Sequence, residues 1–169
     1  SKYFSDMKWW VTGELEDKLQ YIRDILLVRN IYPLSYSIPG ELIQLQKNKK
    51  HKMAPLIPGK METYIYDNEK DYFEMYAQSK YGITHRKYGF DCLRHYEILA
   101  SGCVPLFDDL DKIPKNTMIT FPKNLLININ DKNKVRDISD DEYNEYAIEL
   151  HEHCKKNISC ILSAKYFVN

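Results

Sequence analysis

Apolar positions recur at helical spacing between Gly13 and Asn30, where GELEDKLQYIRDILLVRN sets Leu15, Leu19, Ile22, Ile25 and Leu26 side by side. Acids come early and Arg29 late, the order a helix dipole favours, so the segment is predicted helical. The pattern then changes. IYPLSYSIPGELI carries two prolines and a partial alternation, which predicts a short extended piece from Pro33 to Ile38 that stops at Pro39-Gly40. QKNKKHK, Gln46 to Lys52, reads as a loop, a solvated charge run in preference to the alternative of a phosphate-binding tract. Pro58-Gly59 marks a turn, TYIY an extended piece, and NEKDYFEMYAQS a helix with Tyr72, Met75 and Tyr76 on one face.

A tighter alternation follows. YGIT reads as a short strand, the next loop holds Gly89, a helix runs from about Asp91 to Ser101, Gly102 stops it, and CVPLF returns as a strand. MITFP is a further candidate strand. SDDEYNEYAIELHEHCKKNISCIL predicts a last helix, with Ser139 as N-cap and acids in the first turn. Short strands alternating with helices predict an α/β fold with a mainly parallel sheet flanked by helices. The length of 169 residues fits a single domain over 1–169, and no internal repeat is present.

Charge and cysteine usage narrow the function classes. Twenty-four basic residues balance 24 acidic ones, so no global field recommends nucleic acid, and any anion site must be local. Nucleic-acid binding through QKNKKHK is the weakest of the available readings on this ground. The four cysteines include no CxxC pair, which points to a reducing compartment and a cytoplasmic setting. SKYFSDMKWWVTGELEDK lacks a signal-peptide apolar core, and no run long enough to span a membrane occurs. The abrupt start in SKYFSD leaves open a longer parent chain.

The chemistry concentrates in the helix after Gly89. At 100° per residue Cys92, Leu93, Tyr96, Leu99, Ala100 and Cys103 gather on one side, and Arg94, Glu97, Ile98 and Ser101 on the other. Arg94 in the first turn opposes the positive end of the helix dipole, a local conflict that an anion would resolve. A strand-to-helix turn in an α/β domain aims backbone N–H groups at the carboxyl edge of the sheet, where phosphates bind. Arg94 can fork onto a diphosphate there, Glu97 can accept from the vicinal hydroxyls of a ribose, and His85, Arg86 and Lys87 extend the cationic rim. The competing reading is an Arg94–Glu97 surface pair at i,i+3, contributing about 0.2–0.5 kcal/mol.

From SKYGITHRKYGFDCLRHYEILASGCVPLF through NTMITFPKNLL, the chain resembles exostosin-like glycosyltransferases of the GT-B fold, of the large-virus and bacterial type. DCLRHYEI and GCVPLF carry the resemblance, Phe90 stands where that block has tryptophan, and the likeness covers roughly residues 55–126. It implies a single Rossmann-like domain equivalent to the donor-binding half of such an enzyme. The implied activity is transfer of a sugar from a nucleotide-sugar to a hydroxyl of a glycan or protein acceptor. Glu97 would hold the ribose and Arg94 the diphosphate, with His95, Arg86, Lys87 and Gly89 as further site residues. No cofactor is implied, since the donor is a substrate. The acceptor and the catalytic base would belong to a separate N-terminal domain, and no residue of this chain is assigned as catalytic. The alternative is a non-catalytic interaction module that keeps the fold.

Other clusters weigh less. His151, His153, Cys154 and Cys160 lack a familiar zinc spacing, and Asp108, Asp109 and Asp111 read as a solvated acidic loop, so no metal is expected. Cys92 and Cys103 read as small core residues. Nucleophile-elbow, P-loop and dinucleotide signatures do not occur.

Overall fold

A computed structural model describes residues 9–12, 31–130 and 138–168. The helix predicted over 13–30 lies outside these residues. Strands β1 (Trp9–Thr12) and β2 (Ile31–Leu34) pair in parallel, from Trp9 against Ile31 to Thr12 against Leu34. The larger sheet holds β3 (His51–Met53), β4 (Ser79–Thr84) and β5 (Val104–Phe107) in that order, with both pairs parallel. Helix α1 (Glu69–Ala77) connects β3 to β4, and α2 (Leu93–Ala100) connects β4 to β5. The fold is therefore α/β, a three-stranded parallel sheet flanked by helices in the manner of a Rossmann-like domain. Because the strands are parallel, α1 and α2 both start at the carboxyl edge of the sheet.

Local chemistry sets the boundaries. The Asn68 side chain accepts from the Asp71 amide at 2.9 Å and starts α1. Gly102, at φ +66°, ends the turn after α2, where a Cβ would lie 2.8 Å from the Gln44 carbonyl oxygen. Among the described residues three further helices follow: α3 (Lys123–Ile129), α4 (Asp140–Asn157) and α5 (Cys160–Val168). Ser139 and Glu142 form a capping box at the start of α4.

The helices cover both faces of β4. On one, Gly82 lies beneath Tyr76 of α1 and Ile98 of α2, each 3.1 Å from where its Cβ would stand. On the other, Tyr81 meets Tyr143 of α4 edge-on at 5.5 Å between ring centroids. The outer edge of β5 is closed by one side chain. Asn130 Oδ1 accepts from the Phe107 amide at 2.6 Å, and its Nδ2 donates to the Pro105 carbonyl at 3.2 Å.

Several predicted elements change. TYIY is no strand; Met61–Thr63 form a 3₁₀ turn, which the Thr63 hydroxyl ties to the Ile57 amide at 3.0 Å. MITFP is a turn as well, since fully buried Met118 sits at φ 54° and the Phe121 amide bonds back to its carbonyl. The helix predicted through Leu162 breaks at Ile158, whose carbonyl bonds the Ile38 amide at 2.9 Å, and α5 starts anew at Cys160. QKNKKHK is not a solvated loop throughout. His51 and Lys52 belong to β3, and Lys49 turns inward to donate to Ala77 O at 2.8 Å and Gly102 O at 2.7 Å. Lys49 thus clamps the C-terminal ends of α1 and α2, whose carbonyls carry partial negative charge. Burial pulls its ammonium down to a pKa of about 8.

Candidate functional site

The predicted two-sidedness of α2 is incomplete. Leu93 is 40% exposed, whereas Ile98 and Ser101, placed by periodicity on the polar side, are fully buried. Ile98 packs with Ala54, Leu56, Met75, Tyr76 and Cys103, so the helix is enclosed on the α1 side as well. Arg94 and Glu97 remain half-buried at the rim of that second cluster.

Their surroundings are tyrosines. Tyr72, in the first turns of α1, donates its hydroxyl proton to Glu97 Oε2 at 2.8 Å. The Arg94 guanidinium stands 5.5 Å from the ring centroid of Tyr64, in cation–π range, and its Nε is buried without a hydrogen-bond partner. Tyr72 and Tyr76 meet edge-on at 5.2 Å. Between described residues the ion pairs are Lys80–Asp140, Arg86–Asp109, Lys112–Asp109 and Lys155–Glu152, so Arg94 and Glu97 are not paired with each other within 4.0 Å. Burial raises the pKa of Glu97, and the Tyr72 hydrogen bond and the charge of Arg94 oppose that rise. The result is a partly desolvated cation and carboxylate at the carboxyl edge, each retaining hydrogen-bonding capacity.

His95 belongs to a different environment. It is fully buried, and both ring nitrogens are engaged: Thr84 Oγ1 lies 2.8 Å from Nδ1, and Phe90 O lies 2.9 Å from Nε2. A carbonyl only accepts, so Nε2 carries the proton and Nδ1 accepts from the threonine hydroxyl. Burial lowers its pKa to about 4, which keeps the imidazole neutral. Its ring lies 4.6 Å from Phe107, centroid to centroid. His95 therefore ties the end of β4 to the end of the following loop.

That loop, residues 85–90, carries the other predicted residues. The Arg86 guanidinium lies 5.0 Å from the Phe90 ring centroid, and its Nε is 3.8 Å from Asp109 Oδ2. His85, Lys87 and Tyr88 are exposed, and Gly89 is half-buried in the bend. The structure thus gathers Arg94 and Glu97 into one cluster, sets Arg86 toward the turn after β5, and puts His95 in the core. Sequence reasoning missed Tyr64 and gave Tyr72 and Tyr76 only a shared helix face. The signal available was position for two of them: Tyr64 lies in the segment leading to α1 and Tyr72 in its first turns, at the end of α1 that starts from the carboxyl edge, whereas Tyr76 falls in its last turn.

Of the remaining His–Cys cluster, His151 has a buried Nδ1 without a hydrogen-bond partner, and the other members have structural surroundings. His153 Nε2 donates to Thr120 O at 2.8 Å, Cys154 is buried, and exposed Cys160 lies 3.5 Å from the Ser37 hydroxyl. Among the described residues no group of three or more His, Cys, Asp and Glu side chains is placed to hold a metal ion. A cavity of about 240 Å³ is lined by His51, Pro55, Tyr66, Asp71, Glu74, Met75 and Gln78, and one of about 290 Å³ lies between residues 45–48 and α4; neither is lined by Arg94 or Glu97. No helix among the described residues is long and apolar enough to cross a membrane. Compared with known protein families, curated proteins and solved structures, the chain matches none.

Proposed function

We propose that this chain is the nucleotide-sugar-binding half of a glycosyltransferase, resembling the exostosin-like enzymes, and that Arg94 and Glu97 contact the donor. The observation that carries the reading is that these two residues share the rim of one helix at the carboxyl edge, half-buried and not ion-paired with each other. Glu97 presents Oε1 to ribose hydroxyls while Tyr72 holds Oε2. Arg94 faces the diphosphate. During transfer the bond between the anomeric carbon and the phosphate oxygen breaks, and its electron pair leaves with the nucleoside diphosphate. The acceptor hydroxyl forms the new bond and loses its proton to a base contributed by a separate domain. Arg94 stabilises the negative charge that builds on the leaving group.

Calorimetric titration with UDP, GDP and their sugars tests the reading. Binding that drops at least tenfold in both Arg94→Ala and Glu97→Ala supports it; absence of binding to every nucleotide tried rejects it. A second reading, a non-catalytic interaction module, is favoured by one observation: neither cavity described contains Arg94 or Glu97. Nucleotide-independent capture of a partner domain, lost in Arg94→Ala, would select it.

A further inference from the structure

The loop from His85 to Phe90 is held by contacts that make no use of its most prominent side chain. Its two ends meet on His95, through Thr84 at 2.8 Å and Phe90 O at 2.9 Å. Arg86 adds a third tether, over the Phe90 ring at 5.0 Å and toward Asp109 at 3.8 Å. Tyr88 stands free at 104% relative exposure, the highest value among the exposed large hydrophobic residues described, with Val168 next at 83%. An aromatic ring ordinarily gains stability by packing, and here the fold supports the backbone beneath the ring and leaves both its faces in water.

Along the chain the ring is flanked by cationic residues. Arg86 and exposed His85 and Lys87 precede it, and the first turn of α2 with Arg94 follows. A planar group joined to an anion matches this order, with the anion near the cations and the plane on the phenol. Nucleotides have this composition, and stacking on an aromatic side chain is available to every base. We infer that Tyr88 is the base-stacking residue of the donor site, presented on a preformed arm whose base is stapled by His95. The inference rests on the nucleotide reading above. His95 acts as a positioning residue, and Tyr88 alone touches the base. Stacking does not read hydrogen-bond edges, so Tyr88 raises affinity for uracil and guanine nucleotides alike, and selection between them falls to other groups.

The test compares a nucleoside diphosphate with inorganic pyrophosphate, which offers the same charges without a base. Tyr88→Ala is expected to weaken UDP or GDP binding roughly five- to one-hundredfold and leave pyrophosphate affinity unchanged. Tyr88→Phe is expected to bind like the parent, and in Tyr88→Trp the new indole fluorescence is expected to be quenched by nucleotide but not by pyrophosphate. Full exposure of Tyr88 means that these variants keep the fold, which circular dichroism checks. Unchanged nucleotide affinity in Tyr88→Ala overturns the inference and leaves the nucleotide reading intact, as does an equal loss for pyrophosphate. A parent protein that binds pyrophosphate but no nucleotide overturns both.

Discussion

His95 and Glu97 stand two residues apart on the same helix, and their surroundings differ in kind. His95 is fully buried, its two nitrogens are satisfied by the protein, and its ring is packed on Phe107. Glu97 is half-buried, has one oxygen engaged by Tyr72, and shares its cluster with an arginine to which it is not ion-paired. Polar residues in one short motif thus divide into one that builds the loop and one left with capacity for a ligand. The contrast between closed and open valence separates them better than charge does.

The largest expected effect breaks the closed side. His95→Leu strands the Thr84 hydroxyl and the Phe90 carbonyl in the core and should lower unfolding free energy by about 3–4 kcal/mol in urea titration. Titration tests the same site. The native pKa of about 4 lies below the ordinary 6.5, so between those values the unfolded chain binds the extra proton. The His95 contribution is therefore complete above pH 6.5 and disappears as pH falls toward 4, a loss of about 3 kcal/mol that His95→Gln should remove from the pH profile.

Smaller changes probe how the two sides are held together. Lys49→Met leaves the Ala77 and Gly102 carbonyls without their donor and should destabilise by about 2 kcal/mol. With its native pKa lowered from 10.5 to about 8, the unfolded chain binds more protons between those values. The Lys49 contribution consequently rises with pH from 8 to 10.5, and denaturation across that window should lose this slope in the methionine variant. Gly82→Ala pushes a methyl against Tyr76 and Ile98 beneath the open side, at an expected cost of about 1–2 kcal/mol by thermal melting. The smallest effect should come from Tyr72→Phe. Removing one half-buried hydrogen bond to Glu97 costs about 1 kcal/mol or less, and under the proposed function nucleotide affinity is expected to hold or improve because Oε2 becomes available.

Periodicity and caps made much of this architecture legible. Ser139 before α4 and Gly102 after α2 both mark real boundaries. What escaped depended on partners distant in the chain. QKNKKHK reads as solvated because nothing local shows that Lys49 meets two helix ends or that His51 and Lys52 join a strand. TMITFP has strand composition, but Met118 takes a left-handed conformation to fill the core, and the apolar run after it coils into α3. For the candidate site, the Arg94–Glu97 spacing was readable and its tyrosine surround was not. Fourteen tyrosines give no hint from composition alone which of them gather around one arginine.

Asn130 has a consequence beyond local geometry. Its amide takes up the Phe107 N–H and the Pro105 C=O on the outer edge of β5, the groups a further strand would use. A free edge of this kind is a template for pairing with other molecules, and one side chain here terminates it. Replacing Asn130 by alanine would restore that template beside apolar Val104 and Leu106 and open a seam for concentration-dependent self-association.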